Sequence, residues 1–380
     1  MKVVLLPVGP PGSGKSTLCN GLQQFMTAID RPCSVANIDP ANDNIPYADV
    51  AAFDVRDLVD VDEVMEREEL GPNGGVLWAM EELEANFDWL EERLAECEET
   101  VVLDPPGQPE LTMHHMALPQ ILHRIEKLGY QIVVIQLLDS VVTTRPSLYL
   151  SSLLLCVRGM LHLPYPVVNV LTKLDNLASV GGADLPFNLD FYTEVQDLHY
   201  LLPHLSAEQG SSQSSKWEPL NTALIVLIDS FSLLSFETLA VEDRASMASL
   251  VKALDRASGY VFAGARGVDD EGRTVEGDAS IWAQAMGGEW AGRMEARDVQ
   301  ERWIGQREEF DEVERKQWAE EAKEAGAQVS SARVERAAEE AAQGGGGIGG
   351  DSDEDLEEQR KWKEEMAKDR GGEAAKVRRS

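Results

Sequence analysis

Cysteine is scarce in this 380-residue chain: Cys19, Cys33, Cys97 and Cys156 are the only four, and no two of them form a C-x-x-C pair. Their spacing supports neither a zinc ribbon nor a dithiol redox motif. In a large chain so poor in cysteine they read as reduced thiols in or near the core, as expected in a cytosolic or nuclear compartment. Long apolar runs are also missing, and none approaches the roughly 18 residues that a membrane-spanning helix needs. The apolar run at residues 3–8 is too short for a secretory signal and leads directly into a glycine motif. The chain is therefore expected to be soluble and intracellular, with no membrane partner. Basic residues are in deficit, with 34 Lys and Arg against 67 Asp and Glu, a formal net charge of −33. Such a field argues against direct contact with a nucleic-acid backbone. It leaves room for a small basic pocket around a single anion.

Hydrophobic residues make up 43% of the chain, enough for a sizeable core. The length suggests about two or three domains of roughly 100–200 residues. Up to about residue 263, apolar β-rich runs alternate with helical patterns. The runs at 3–8, 35–38, 101–103, 132–138, 167–171 and 235–239 are apolar on both faces, as buried parallel strands are. Helical spacing is found at 15–26, 76–94, 148–161, 191–201, 221–234 and 245–258. That alternation predicts an α/β fold, a mostly parallel sheet with helices on both faces. Beyond it, 264–288 reads as a linker and 289–343 as a charged helical extension. Residues 344–380 read as a low-complexity, disordered tail. Residues 289–380 carry 25 acids and 17 bases, so most of the negative charge lies on residues 1–288. The C-terminal part is marked instead by Trp282, Trp290, Trp303, Trp318 and Trp362. Trp303, Phe310 and Val313 fall at helical spacing, which suits either a partner-docking helix or a segment folded back on the body.

The first run ends in Gly9-Pro10-Pro11-Gly12-Ser13-Gly14-Lys15-Ser16, a match to G-x-x-x-x-G-K-[ST]. Glycine lets backbone N–H groups turn inward around a phosphate without a Cβ in the way. The following helix adds the positive end of its dipole. Lys15 is expected to reach the β- and γ-phosphates, and the Ser16 hydroxyl to ligate Mg²⁺. Asp104-Pro105-Pro106-Gly107-Gln108 follows the strand at 101–103, where an acid can hold Mg²⁺ and a glycine can sense a γ-phosphate. Thr172-Lys173-Leu174-Asp175 follows the strand at 167–171. It resembles the N/T-K-x-D motif of GTPases, in which the carboxylate accepts hydrogen bonds from guanine N1–H and N2–H₂, a donor pair that adenine lacks; read alone, it is also a solvated charge pair at a strand end. Asp39-Pro40-Ala41-Asn42-Asp43 closes the second strand, at the sheet edge where ligands bind in open α/β folds. Read alone, it is also an ordinary Asp/Pro/Asn turn.

Together with Gly71-Pro72-Asn73, which stands between these acidic motifs, and with Leu185-Pro186-Phe187-Asn188 downstream, the residues resemble the GPN-loop GTPases, most closely the GPN-loop GTPase 2 branch. The resemblance covers about residues 1–262. It implies a P-loop NTPase fold with added helices, binding of GTP or GDP with Mg²⁺, and slow GTP hydrolysis. Gly12, Ser13, Gly14, Lys15, Ser16 and Thr17 would bind phosphates, and Ser16, Asp39 and Asp104 would serve the metal or the attacking water. Gln108 and Glu110 would orient that water, and Thr172, Lys173 and Asp175 would read guanine. The resemblance further implies a homodimer, or a heterodimer with a paralogue, in which Asn73 of one subunit reads the γ-phosphate of the other. It also implies a cytoplasmic factor, able to shuttle to the nucleus, that serves RNA polymerase II subunits or assembly factors.

Pro105 and Pro109 depart from the family pattern and remove backbone donors beside Gln108 and Glu110. Pro10 stands where the deviant Walker ATPases carry a signature lysine, which favours a GTPase. No arginine finger is evident. A non-catalytic reading remains open, in which a nucleotide-stabilised acidic scaffold chaperones basic clients. An ATP-dependent polynucleotide kinase is disfavoured by residues 172–175 and by the acidic field. His114, His115 and His123 lack cysteine or carboxylate at ligand spacing and read as structural or exposed. Ser352, among acids, is either a kinase site or an unmodified loop residue.

Overall fold

The first strand shows how the sheet is built: Val4, Leu6 and Val8 bury on one face, Val3 and Leu5 on the other. In the computed structural model, the described residues are 2–29, 31–42, 45–108, 114–177, 185–209, 214–231, 233–259, 267–268, 274–275, 299–305, 310 and 312. Among them, seven strands form one sheet: β1 (Val3–Val8), β2 (Cys33–Asn37), β3 (Ala51–Asp54), β4 (Thr100–Asp104), β5 (Gln131–Asp139), β6 (Val167–Thr172) and β7 (Phe236–Thr238). Their order is β3-β2-β4-β1-β5-β6-β7 and every neighbouring pair is parallel. Parallel neighbours need crossovers, and α-helices lie in most of them; between β2 and β3 the described residues carry only the 3₁₀ turn Ala48–Val50. Helices α1 (Lys15–Ala28), α2 (Val61–Glu68), α3 (Pro72–Ala85), α4 (Phe87–Ala95), α5 (Ala117–Lys127) and α6 (Pro146–His162) precede α7 (Leu189–Glu194), α8 (Leu202–Gln209), α9 (Ser214–Phe231) and α10 (Arg244–Ser258).

Leu18, Leu22 and Met26 of α1 and Leu250 and Leu254 of α10 cover the face that carries Leu5 and Val35. Met80, Leu83, Leu90, Ile121 and Ile125 of α3 to α5 cover the face that carries Leu6 and Val134. On that same face, α6 and α9 pack over Leu138, Leu171 and Phe236. Both faces are therefore buried, as the two-sided apolar strands require. An ion pair fastens the edge: Arg31 Nη1 donates to both oxygens of Asp255, at 2.8 and 3.0 Å. The cysteines are free, and burial pushes the Cys33 and Cys156 thiols up to about 12.

The structure corrects several boundaries. The helix expected over 76–94 is two, because the backbone breaks at Asn86 (φ −98°, ψ 39°), whose amide turns back to Glu82 O at 3.0 Å. The helix expected over 191–201 stops at Val195. Left-handed φ values at Val195 and Asp197 (+52° and +54°) divert the chain into a 3₁₀ turn, Leu198–Leu201. The helix expected over 221–234 starts seven residues earlier, at Ser214. Strand β3 and helices α2, α5 and α8 were not anticipated. Within the expected linker, Gly267–Val268 and Thr274–Val275 pair antiparallel. The chain divides into two compact units, 1–310 and 311–380. Of the expected charged extension, residues 299–305, 310 and 312 are described, whereas Val313, Trp318, the low-complexity tail with Ser352, and the other tail tryptophans lie outside the described residues.

Candidate active site

Parallel register brings the chemistry to one edge. Asn37 pairs with Asp104, and Asp139 with Thr172, so the C-terminal ends of β2, β4, β5 and β6 open on the same side as the loop at 9–16 after β1. That loop turns through Gly12 (φ +78°) and Gly14 (φ +93°), a backbone region costly for any residue with a Cβ. Gly9 is required for a different reason, since a Cβ there would stand 2.7 Å from Leu137 O.

Lys15, at the start of α1, is buried with 8% of its surface exposed. Its ammonium lies 3.3 Å from Gly9 O and 3.5 Å from Pro10 O. Burial lowers its pKa, and the carboxylates of Asp104 and Asp39 oppose that shift. Asp104 is 1% exposed, and Tyr47 donates its hydroxyl to Asp104 Oδ2 at 2.7 Å. No donor meets Asp104 Oδ1, which is fully buried. Burial raises the Asp104 pKa above the usual carboxylate range, against the Ser16 and Tyr47 hydroxyls and the Lys15 ammonium. Asp39, half-buried, is raised by burial and by repulsion from Asp104, while the Ala41 N–H, 3.0 Å from Asp39 Oδ1, acts the other way. Asn42 donates to Ser16 Oγ at 3.3 Å. Ser13 is buried and Thr17 exposed on the first turn of α1.

The segment after β6 grips the phosphate loop from the other side. Thr172 is buried, with its hydroxyl 2.9 Å from Ser13 O. Lys173 holds an uncommon left-handed φ of +60°. Its ammonium donates to Gly12 O and, at 2.8 Å, to Asp139 Oδ2. Asp175 sits half-buried on the single helical turn Leu174–Leu177. Gly107 closes on the loop so tightly that a Cβ there would stand 2.6 Å from Lys15 Nζ. Gln108 Nε2 donates to Asn73 Oδ1 at 3.3 Å, which sets the first turn of α3 beside the residue expected to orient water. Glu110 and Asp43 lie outside the described residues.

A family model described as "Conserved hypothetical ATP binding protein" matches residues 8–260. GPN-loop GTPase 2 of Saccharomyces cerevisiae is 41% identical over 320 residues, 83% of this chain and 88% of that protein. GPN-loop GTPase QQT1 of Arabidopsis thaliana is 43% identical over 260 residues, 68% of this chain and 85% of that protein. The chain belongs to the GPN-loop GTPase family. A solved structure, an apo-form GTPase from Pyrococcus abyssi, shares the fold at a TM-score of 0.53 and 22% identity, covering 67% of this chain and 97% of its own.

Membership carries GTP binding and hydrolysis, which sets aside the non-catalytic scaffold reading. In this GPN-loop GTPase the fold brings Lys15, Ser16, Asp39, Asp104, Thr172 and Lys173 to one edge. Tyr47 and Asp139 were missed as site residues. Asp139 carried a usable signal, because it ends an apolar strand just as Asp104 does. Tyr47 carried none, since its partner is 57 residues away. The Thr172 side chain serves the backbone: its hydroxyl lies 2.9 Å from Ser13 O and 3.3 Å from Leu138 O.

Proposed function

We propose that the chain is a dimeric switch that hydrolyses GTP slowly with Mg²⁺. The observation that carries this reading is the buried cradle in which one ammonium, Lys15, stands between loop carbonyls and two carboxylates. In phosphoryl transfer the transition state is loose and its charge is spread, so positioned cations and N–H groups supply most of the catalysis. Here Lys15 and the amides of residues 13–16 would hold the phosphates. Among the described residues there is no cluster of three or more His, Cys, Asp or Glu that could hold a metal alone. Mg²⁺ in nucleotide sites is held by few protein oxygens together with phosphates and water, and the unpartnered Asp104 Oδ1, with Ser16 and Asp39, fits that demand. The ion would supply charge neutralisation at the phosphates. Gln108 would orient the attacking water, with Glu110 beside it in sequence. Asp175 would read guanine N1–H and N2–H₂, and the Lys173 stem would cover the base.

In this proposal two GPN loops meet across a homodimer, or across a heterodimer with a paralogue, with Asn73 serving the opposite γ-phosphate. The contact between Gln108 and Asn73, made within one chain, supports only the GPN loop's place at the mouth of a nucleotide site; the cross-subunit role rests on the resemblance. The acidic surface suits basic protein clients, and RNA polymerase II subunits or assembly factors, met in the cytoplasm and carried to the nucleus, are the clients implied by the resemblance. Small-angle scattering with GDP and with a non-hydrolysable GTP analogue tests the switch. Two dimer shapes are expected; one shape in both states would end the proposal.

A further inference from the structure

Residues 299–305 are not a free tail. Trp303 is buried against Leu174, Leu177, Leu189 and Ala240, and Val299 joins the same cluster. The Leu189 N–H donates to Gln300 Oε1 at 3.0 Å, which ties the segment to the start of α7. The Arg302 guanidinium lies over the Trp303 ring at 4.4 Å and covers its outer side. Leu174 and Leu177 are the two ends of the single turn that carries Asp175. Hydrogen bonds tie the start of the turn to the strands beside it: Leu174 N–H to Leu239 O at 3.4 Å, and, one residue earlier, Ser140 Oγ to Lys173 O at 3.1 Å. The turn also follows a residue held at left-handed φ, Lys173. A one-turn helix has no internal stability of its own and depends on what packs against it. Here the largest apolar side chain in the cluster around it, beside Leu189 and Ala240, is a tryptophan more than a hundred residues away in the chain.

We infer that residues 299–305, through Trp303, are a positioning element for the guanine-reading turn, so that this segment and the nucleotide base stabilise each other's binding. The inference rests on the assignment of Asp175 to the base. Trp303 touches no nucleotide atom in this account; it acts through Leu174 and Leu177. Linkage then requires reciprocity: bound guanine nucleotide holds the segment down, and whatever takes hold of the segment loosens the nucleotide. Thr172 is the last residue of β6, in register with Asp139, and Gly107 meets the loop from β4, so the loop keeps strand-anchored supports ahead of the turn, and the effect falls on the base more than on the phosphates.

The test compares release of a fluorescent GDP from the full chain and its variants, with competition by inorganic tripolyphosphate as the phosphate-only probe. Trp303→Ala is expected to release GDP about tenfold faster, within the usual range of coupling between sites. Its tripolyphosphate affinity should match the parent chain. Trp303→Phe, which keeps an aromatic plug, should stay within about twofold. Asp175→Asn separates the two claims, because its amide can donate to the C2 oxygen of xanthine and so should trade guanine for xanthine nucleotides. If Asp175→Asn makes that trade while Trp303→Ala leaves GDP release unchanged, the positioning role is refuted and the base assignment stands. Equal losses of GDP and tripolyphosphate in Trp303→Ala would also refute it, since they report general loosening. Unaltered guanine binding by Asp175→Asn would overturn the base assignment itself, and with it the inference.

Discussion

Replacing Tyr47 with phenylalanine removes one hydroxyl from the hidden side of the site. The ring is buried in the core beneath β2 and α1, and its hydroxyl donates to Asp104 Oδ2 at 2.7 Å. A hydrogen bond to a charged group contributes about 1.5–3 kcal/mol. Asp104 is 1% exposed, so water does not replace the lost hydroxyl; the Ser16 hydroxyl and the Lys15 ammonium stay beside the carboxylate and keep the loss off the top of that range. The ring itself stays, so the cavity term is close to nothing. A loss of about 2 kcal/mol, divided by a urea slope of about 2–3 kcal/mol/M, lowers the unfolding midpoint by roughly 1 M. The sign with pH is fixed by the charge. The hydroxyl favours the carboxylate, so the difference between the two proteins is full where Asp104 is ionised and vanishes as falling pH protonates it. The same change pushes the Asp104 pKa further up and should move the acid limb of GTP hydrolysis to higher pH. Urea unfolding across pH, alongside a pH–rate profile, reads both effects. A variant within about 0.5 kcal/mol of the parent, with the same acid limb, would refute the tether.

Two further outcomes follow from the same cradle. Burial raises the folded pKa of Asp104, so its contribution to the stability of nucleotide-free protein is present at low pH and lost as pH rises through that pKa. Asp104→Asn should therefore melt higher than the parent near about pH 7, with the gap closing towards about pH 4, where unfolded carboxylates protonate. It should hydrolyse GTP far more slowly, and a lower melting point at neutral pH would contradict the reasoning. Gly107→Ala places a methyl group 2.6 Å from Lys15 Nζ and 3.3 Å from Pro11 Cα. The flexible lysine tip must move, so the melting point should change little while single-turnover hydrolysis falls about a hundredfold, as for a misplacement of about 1 Å. Parent-like turnover would show that Lys15 need not hold this position.

The parts of the site that could be read from sequence are the local ones. The phosphate loop is eight consecutive residues with two glycines at positive φ, and a local pattern is enough to identify it. The strand ends at Asp104 and residue 172 follow from two-sided apolar runs. What escaped depends on distant or weak signals. Strand β3 spans only Ala51–Asp54 and fully buries only Phe53, too little to stand out as a strand. Helix α5 does show helical spacing in Leu118, Ile121, Leu122 and Ile125, but Pro119 and the adjacent histidines masked it. Asn86 looked like one more polar residue within a long helix, whereas its amide bonds to Glu82 and ends α3. For Trp303, helical spacing left docking, folding back and disorder open, with docking first; burial against Leu174 and Leu177 places the described segment on the body. Lys173 presented as a charge beside a base-reading acid, and only the folded chain shows it bridging Gly12 O and Asp139.

The central claim, a Lys15-dependent GTPase, is tested most directly by single-turnover hydrolysis of GTP with Mg²⁺, in the parent chain and in Lys15→Ala. The parent should yield stoichiometric GDP and phosphate, and the variant should react about a hundredfold or more slowly, the scale seen when one stabilising group at a transition state is removed. Equal rates in the two proteins, or no GDP formed by the parent chain with or without a paralogue, would contradict it.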